Sequence, residues 1–135
     1  MRPYLIIIFT VLTVVSCKKA VEKVQENIIL DLMTNGQWTV TRYLEGDDDL
    51  TVDFAPYSFQ FYKNGTVSGF WSGPEEKGTW VAMVESRSIK ADFPQAGLPL
   101  QKLNADWKIT DSSMDEVKAK TTVDNIQKTL WLKKK

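Results

Sequence analysis

The spacing of apolar residues changes at Gly36, and this change limits the folds open to the chain. Before it, residues 20–35 repeat apolar side chains every three or four positions, as in an amphipathic helix. After it, apolar and polar residues alternate with a period of two, which is typical of half-buried β-strands. Asn35-Gly36 ends the predicted helix, because glycine adopts the left-handed backbone conformation at little cost. We therefore predict one helix followed by an all-β domain.

Eight candidate strands follow, separated by turn-forming residues. They are Gln37–Glu45, Tyr57–Lys63, Thr66–Ser72, Thr79–Val84, Ser88–Phe93, Asp106–Thr110, Met114–Lys120 and Ile126–Lys133. Short strands with turns between consecutive members predict an antiparallel up-and-down meander, in a sandwich or a closed barrel. We favour the eight-stranded barrel, because closure leaves no exposed edge strand. Asn64-Gly65 predicts a type I′ hairpin, and the segment 94–104 is predicted to contain a short helical turn.

The predicted connections are asymmetric. The second, fourth and sixth are short, at 64–65, 85–87 and 111–113. The first, third, fifth and seventh are longer, at 46–56, 73–78, 94–104 and 121–125. Alternate connections of a meander lie at the same end, so the helix and the hairpins should close one end. Binding residues are concentrated on loops, and the end with the longer loops is therefore the predicted binding mouth.

The N-terminus carries the pattern of an exported, lipid-modified protein. Leu5–Val15 is an apolar run, too short to span a bilayer but suited to a signal peptide. The sequence from Val14 to Cys17, "VVSC", resembles a bacterial lipobox. That resemblance implies cleavage before Cys17, diacylglycerol on its thiol and an acylated N-terminus. An ordinary secretory signal with an incidental cysteine is the alternative.

This interpretation divides the chain into three parts. Residues 1–16 form the signal peptide, 17–35 the lipid-anchored helical segment and 36–135 the barrel domain. Several acyl chains hold a protein at a membrane far more firmly than one, so the membrane is the expected partner of the N-terminus. No acidic residue follows Cys17 directly, which by analogy with lipoprotein sorting favours the outer membrane and its periplasmic face.

Composition removes several classes of function. The 17 basic and 17 acidic residues give a formal net charge of zero, whereas a nucleic-acid-binding protein needs a basic excess. The chain has no histidine, which excludes imidazole bases and histidine metal ligands. One cysteine cannot form an internal disulfide or a thiolate metal cage. We predict no catalytic residue, no metal, no cofactor and no nucleic-acid partner.

Gly36-Gln37-Trp38, at the start of the first strand, resembles the lipocalin superfamily, and in particular the small lipocalin-like lipoproteins of Bacteroidetes. Gly78-Thr79-Trp80, the hairpin at 61–69 and Trp107 fit the same pattern. The resemblance covers residues 36–133 and implies an eight-stranded barrel whose cavity often holds a small apolar ligand. Two features of the pattern are missing. They are the Thr-Asp-Tyr signature of larger lipocalins and the arginine of the last strand that packs on the first tryptophan.

Aromatic residues are the candidate site residues. Trp38, preceded by Gly36, is predicted to fill the helix end of the barrel in a structural role. A ligand pocket near the mouth would be lined by Tyr43, Phe54, Trp71, Trp80, Phe93 and Trp107. An interior packed solid by these rings is an equal alternative, because an eight-stranded barrel is just wide enough for side chains or one small ligand. A register error of one residue would reverse the inward faces.

Two acidic stretches invite other interpretations. Gly46–Asp53 alternates acidic residues, but an EF-hand loop requires Gly and Glu where Val52 and Ser58 stand. We expect a solvated acidic lid. Glu75 and Glu76 could act as paired carboxylates, but adjacent residues on a loop flanked by Gly and Pro do not hold a fixed separation. An enzyme is not expected.

Two hypotheses of function remain. In the first, a lipid-anchored barrel binds a small apolar or amphipathic molecule. In the second, a solid barrel without a ligand docks on another envelope protein. A cavity of about 300 Å³ or more would favour the first hypothesis, and a filled interior the second.

Overall fold

The structure is a computed structural model that describes residues 23–135. The predicted signal peptide, Cys17 and the start of the predicted helix lie outside the described residues. Within the part of the chain from residue 23 onward, no helix is long and apolar enough to cross a membrane.

Helix α1 is described from residue 23 and ends at residue 34. Gly36 follows with a φ of 85°, as expected of a residue that ends a helix. Met33 is buried, with Ile29 packed against the same core. Val24 and Ile28, which belong to the predicted apolar stripe, are 59% and 61% exposed. The barrel therefore covers only the C-terminal half of the stripe.

Eight strands close an antiparallel up-and-down barrel, which confirms the predicted fold class. They are β1 (Trp38–Glu45), β3 (Ser58–Phe61), β4 (Thr66–Phe70), β5 (Glu76–Met83), β6 (Ser88–Asp92), β7 (Ala105–Ser112), β8 (Glu116–Val123) and β9 (Ile126–Lys134). A further strand of two residues, β2 (Asp48–Asp49), pairs with the end of β1.

Two short 3-10 helices lie in the longer connections. They are η1 (Thr51–Phe54), between β2 and β3, and η2 (Leu100–Leu103), between β6 and β7. The helical turn predicted in 94–104 is thus confirmed. The helix η1 falls in a segment for which no helix was predicted.

Two turns differ from the predictions. Between β3 and β4 only Gly65 has a positive φ, and its N–H donates to the Tyr62 carbonyl at 3.1 Å. This hairpin is a type I turn followed by a glycine bulge, and the type I′ prediction for Asn64-Gly65 is wrong. Positive φ at both central residues occurs at Asp124 and Asn125 instead. The seventh connection is therefore a tight turn and not a longer loop.

The connections define two ends of the barrel. The hairpin end consists of α1 and the turns at 62–65, 84–87 and 113–115. The loop end consists of the connections at 46–57, 71–75, 93–104 and 124–125. Three of the four connections at the loop end are long, so the asymmetry expected from the sequence is largely present.

The barrel has a seam between β1 and β3. β1 shares seven residue pairs with β9 but a single pair, Trp38 with Phe59, with β3. Along the rest of the seam, η1 lies beside β1, and the Tyr43 N–H donates to Thr51 Oγ1 at 2.9 Å. Phe54 of η1 is fully buried. A loop thus takes the place of strand pairing on this side of the barrel.

The core lies inside the barrel and follows the alternation of the strands. A bulge in β1 between Val40 and Arg42 shifts the register, so that both Val40 and Tyr43 are buried although they are three residues apart. The other strands contribute buried apolar side chains at alternate positions: Phe59, Phe61, Val67, Trp80, Ile89, Trp107, Val117, Ala119, Leu130 and Leu132.

Candidate functional site

The structure places five of the six predicted pocket residues in the core and one outside it. The buried residues are Tyr43, Phe54, Trp80, Phe93 and Trp107, each no more than 3% exposed. Trp71 is 49% exposed. Because β4 ends at Phe70, Trp71 lies beyond the strand whose alternation was used to place it inside.

The loop end, predicted to be an open mouth, is closed by its own loops. Phe54 packs on Tyr43 with ring centroids 4.7 Å apart. Leu100 of η2 is fully buried, and a Cβ added at Gly69 would lie 2.9 Å from its Cδ1 atom. Glycine at position 69 therefore makes room for η2 above the core. The long loops fold inward and supply core side chains.

The connection 93–104 is held closed at its base by one side chain. Asn104 accepts a hydrogen bond from the Phe93 N–H at 2.6 Å and donates one to the Phe93 carbonyl at 3.4 Å. An asparagine side chain can bond both the backbone N–H and the backbone carbonyl of one residue in this way. The loop that carries η2 is thereby fixed to the ends of β6 and β7.

Each of the three buried tryptophans uses its indole N–H to hold a segment outside the strands. Trp38 donates to the Met33 carbonyl at the end of α1, at 2.9 Å. Trp107 donates to the Leu103 carbonyl of η2 at 2.8 Å. Trp80 donates to the Tyr62 carbonyl of the β3–β4 turn at 2.9 Å. Buried indoles need such acceptors, and these contacts give all three rings a structural role.

Trp38 occupies the hairpin end of the barrel, as predicted, and is fully buried. Lys134 lies over its ring, with Nζ 5.4 Å from the centroid. A lysine of the last strand thus packs on the ring of Trp38. Cation–π contact of this kind is favourable within about 6 Å of a tryptophan ring.

A small apolar void lies inside the barrel. Its volume is about 50 Å³, and its lining includes Met33, Phe61, Ile89 and Leu103. A small-molecule pocket is typically about 300–1,000 Å³. In this conformation the barrel is therefore filled by its own side chains.

A charged cluster lies at the rim of the loop end. Glu45 Oε1 accepts a hydrogen bond from the Tyr43 hydroxyl at 2.9 Å. The same oxygen is 3.8 Å from Lys102 Nζ and 3.7 Å from Lys128 Nζ. Burial raises the pKa of Tyr43 well above its ordinary value of 10.0, and the Glu45 carboxylate raises it further. This cluster links η2 to β1 and β9.

An aromatic patch, which we define as Trp71, Tyr57 and Glu76, lies at the loop end. The Trp71 and Tyr57 rings stack with centroids 6.1 Å apart, and Tyr57 stacks in turn on the buried Phe59. Burial and the nearby Glu76 charge raise the pKa of Tyr57. Glu76 Oε2 is buried and has no hydrogen-bond partner among the described residues.

The acidic stretches stabilise turns. Asp49 is exposed and accepts hydrogen bonds from Thr51 N–H and Oγ1, at 3.0 and 2.6 Å, which lower the pKa of its carboxyl. Glu75 is bonded by the Ser68 hydroxyl, whereas Glu76 lies beside Tyr57, so these two carboxylates face different partners. Between residues 23 and 135 no group of three or more acidic side chains is placed to hold a metal ion.

Two open clefts lie at the hairpin end, where no site was predicted. One, of about 430 Å³, is lined by Ile28, Ile29, Val84 and Ile109 among others. The other, of about 460 Å³, is lined by residues that include Ile28, Leu32 and Met114. Both clefts run between α1 and the end of β7.

Sequence reasoning missed two of the residues that close the loop end, and it missed the residues that leave the hairpin end open. Leu100 and Leu103 are spaced one helical turn apart, a signal that could have shown an inward face for η2. Met114 was predicted to begin a strand. Because β8 starts at Glu116, Met114 lies in a turn and is 81% exposed.

Comparison with known proteins supports the fold alone. No family model matches the chain, and no curated protein matches it. Among solved structures, the chain is similar to a DUF4847 family protein from Bacteroides vulgatus ATCC 8482, with a TM-score of 0.56 and 13% sequence identity. The alignment covers 78% of this chain and 96% of that protein.

Proposed function

We propose that this protein is a lipid-anchored interaction module of the bacterial cell envelope, with a solid barrel core and no catalytic activity. The observation that carries the proposal is the filled interior, whose void of about 50 Å³ is too small for a typical ligand. A protein of this kind binds through its surface. The lipocalin-like relationship and the outer-membrane, periplasm-facing location belong to the same proposal.

The aromatic patch is the proposed contact with the partner protein. Interfaces are enriched in tryptophan and tyrosine, which bury a large area with few rotatable bonds. The half-exposed Trp71 ring rests on Tyr57 and is therefore held in position before a partner arrives.

A photo-crosslinking experiment in the native host tests the contact. We expect a benzophenone amino acid at position 71 to form a discrete adduct with one envelope protein. The matched control is the same probe at Val81, which is 55% exposed on β5. Identical adduct patterns at 71 and 81, or none at either position, would count against the patch.

The lipid anchor is tested separately. We expect the Cys17→Ala variant to be recovered in the soluble periplasmic fraction, because the acyl chains would then have no attachment point. A variant that still fractionates with membranes would contradict the proposed anchor.

The second candidate function is the binding of a small apolar or amphipathic ligand. The observation in its favour is that the void exposes only apolar surface and is bounded at the loop end by Leu103 of η2. Outward movement of η2 would enlarge the void. Native mass spectrometry of protein purified from its host, with a thermal-shift screen of fatty acids, sterols and quinones, decides the question. A bound molecule of defined mass would favour this candidate over the solid module.

A further inference from the structure

Three strongly exposed apolar side chains lie at the hairpin end. Val24 and Ile28 are 59% and 61% exposed, and Met114 is 81% exposed. Val24 and Ile28 are four residues apart on α1 and so share one face of the helix. Ile28 and Met114 line the same cleft. We call these three residues the apolar rim.

A groove runs beneath the apolar rim. The two clefts between α1 and the end of β7 both include Ile28 and Ser112 in their linings, so they adjoin each other along the helix, and we refer to them together as the groove. Its floor is made of half-buried apolar side chains, among them Ile29, Leu32 and Ile109. The rim and the groove together are the apolar surface of this end.

The position of the lipid attachment point identifies what lies against this surface. Cys17 precedes residue 23, the first described residue of α1, by six positions. Six residues span at most about 20 Å even when fully extended. An acyl anchor at Cys17 therefore keeps the hairpin end within that distance of the bilayer. The loop end lies at the opposite side of the barrel.

We propose that the hairpin end docks on the membrane surface, with Val24, Ile28 and Met114 inserted at the boundary between head groups and acyl chains. Lipid hydrocarbon fills the groove between α1 and β7. This inference rests on the proposed lipid anchor and adds a fixed orientation to it. The barrel stands on its hairpin end and presents the aromatic patch away from the bilayer.

The charges around the apolar rim show which force drives this contact. Asp31 and Lys63 form an exposed ion pair at 3.1 Å. The groove is lined by one basic residue, Arg87, and one acidic residue, Asp111, among others. Mixed signs give little net attraction to anionic lipid, so burial of apolar area supplies the affinity. The insertion is therefore expected to change little with ionic strength or with the fraction of anionic lipid.

A depth-quenching experiment on the full-length, lipid-modified protein tests the orientation. Position 114 is changed by Met114→Cys and labelled with the fluorophore NBD, because acylation blocks the thiol of Cys17, the chain's only cysteine. The matched control is Leu98→Cys at the loop end, where the native side chain is 72% exposed. Both proteins are reconstituted in phosphatidylethanolamine and phosphatidylglycerol vesicles with and without doxyl-labelled lipid.

We expect the label at 114 to emit at shorter wavelength and to be quenched by doxyl lipid several-fold more than the label at 98. Equal quenching at both positions on membrane-bound protein would overturn the docking while leaving the anchor intact. Efficient disulfide formation between two copies at 114 would also overturn it, by showing that a second copy covers the apolar rim. A reactive Cys17 in the parent protein, with the protein free of vesicles, would overturn both the anchor and the docking.

A second variant guards against a local effect of the label. Ile28→Asp is introduced into the labelled 114 protein and places a charge on the apolar rim, where the native side chain is exposed and the core is not disturbed. We expect quenching at 114 to fall towards the value at 98 while membrane attachment persists. Unchanged quenching would contradict insertion of the rim.

Discussion

The two ends of the barrel are closed in different ways. At the hairpin end, one helix is continuous with β1 through Gly36, and Trp38 bonds back to the Met33 carbonyl of that helix. At the loop end, two separate 3-10 helices of four residues each supply Phe54 and Leu100. Neither 3-10 helix has a side-chain cap hydrogen bond.

The comparison shows that loop length does not predict where a barrel is open. The long loops have enough residues to fold back and bury apolar side chains, so the end they form is filled. The helix at the other end covers the core with its last turns only and leaves clefts between itself and the end of β7. The accessible volume therefore lies at the end with the short connections.

The largest expected effect is at the hairpin end. We expect Trp38→Ala to lower the free energy of unfolding by about 3–5 kcal/mol, because it removes a fully buried ring and leaves a cavity. Equilibrium denaturation measures this, with the half-exposed Trp71→Ala as control and a loss within about 1 kcal/mol expected for it. Equal losses in the two variants would show that Trp38 does not close this end.

A smaller effect is expected at the loop end. Leu100→Ala should lower the free energy of unfolding by about 2–3 kcal/mol, the low part of the range for a buried leucine, because η2 borders solvent and can settle into the space. Hydrogen exchange should then accelerate at amides 97–104 before it does in the strands. A loss as large as that of Trp38→Ala would mean that the two ends hold the barrel equally.

The indole hydrogen bonds permit a matched comparison of the two ends. Trp107→Phe keeps an aromatic ring but leaves the Leu103 carbonyl without its donor, and Trp38→Phe does the same to the Met33 carbonyl. Each change should cost about 1–2 kcal/mol. Exchange data should show local loosening of η2 in the first variant and of α1 in the second. If hydrogen exchange accelerated uniformly over the whole barrel in both variants, the two ends would not be closed independently.

The smallest effect depends on pH and concerns the charged cluster at the loop end. The raised pKa of folded Tyr43 means that the unfolded chain loses this proton first as pH rises above 10.0. The contribution of Tyr43 to the free energy of unfolding is complete below that pH. Above it, this contribution falls by about 1.4 kcal/mol per pH unit. We expect Tyr43→Phe to show a shallower decline between pH 9.5 and 11. If the denaturant midpoints of the unchanged protein and of Tyr43→Phe declined in parallel as pH rises, this expectation would be contradicted.

The sequence predicted the fold class well because alternation and turn residues are local signals. Eight strands, the turn at Gly36 and the position of Trp38 all follow from residues near one another in the chain. The candidate site was predicted less well. Trp71 was placed inside because a strand was extended by two residues. The burial of Leu100 was not predicted, because it depends on η2 folding onto β4, which is distant in the sequence. The spacing of Leu100 and Leu103 can indicate an inward face of η2, but it does not show which strand that face contacts.

The seam between β1 and β3 has a consequence for the order of folding. β1 is held along its length by β9, through contacts that include a hydrogen bond from Thr39 to a residue 94 positions away. Contacts between such distant residues form slowly, because the intervening chain must first be ordered. During synthesis, β1 is made before η1 and the other strands, and its main partner, β9, is made last. The barrel can close only when β9, the last strand of the chain, is available to pair with β1.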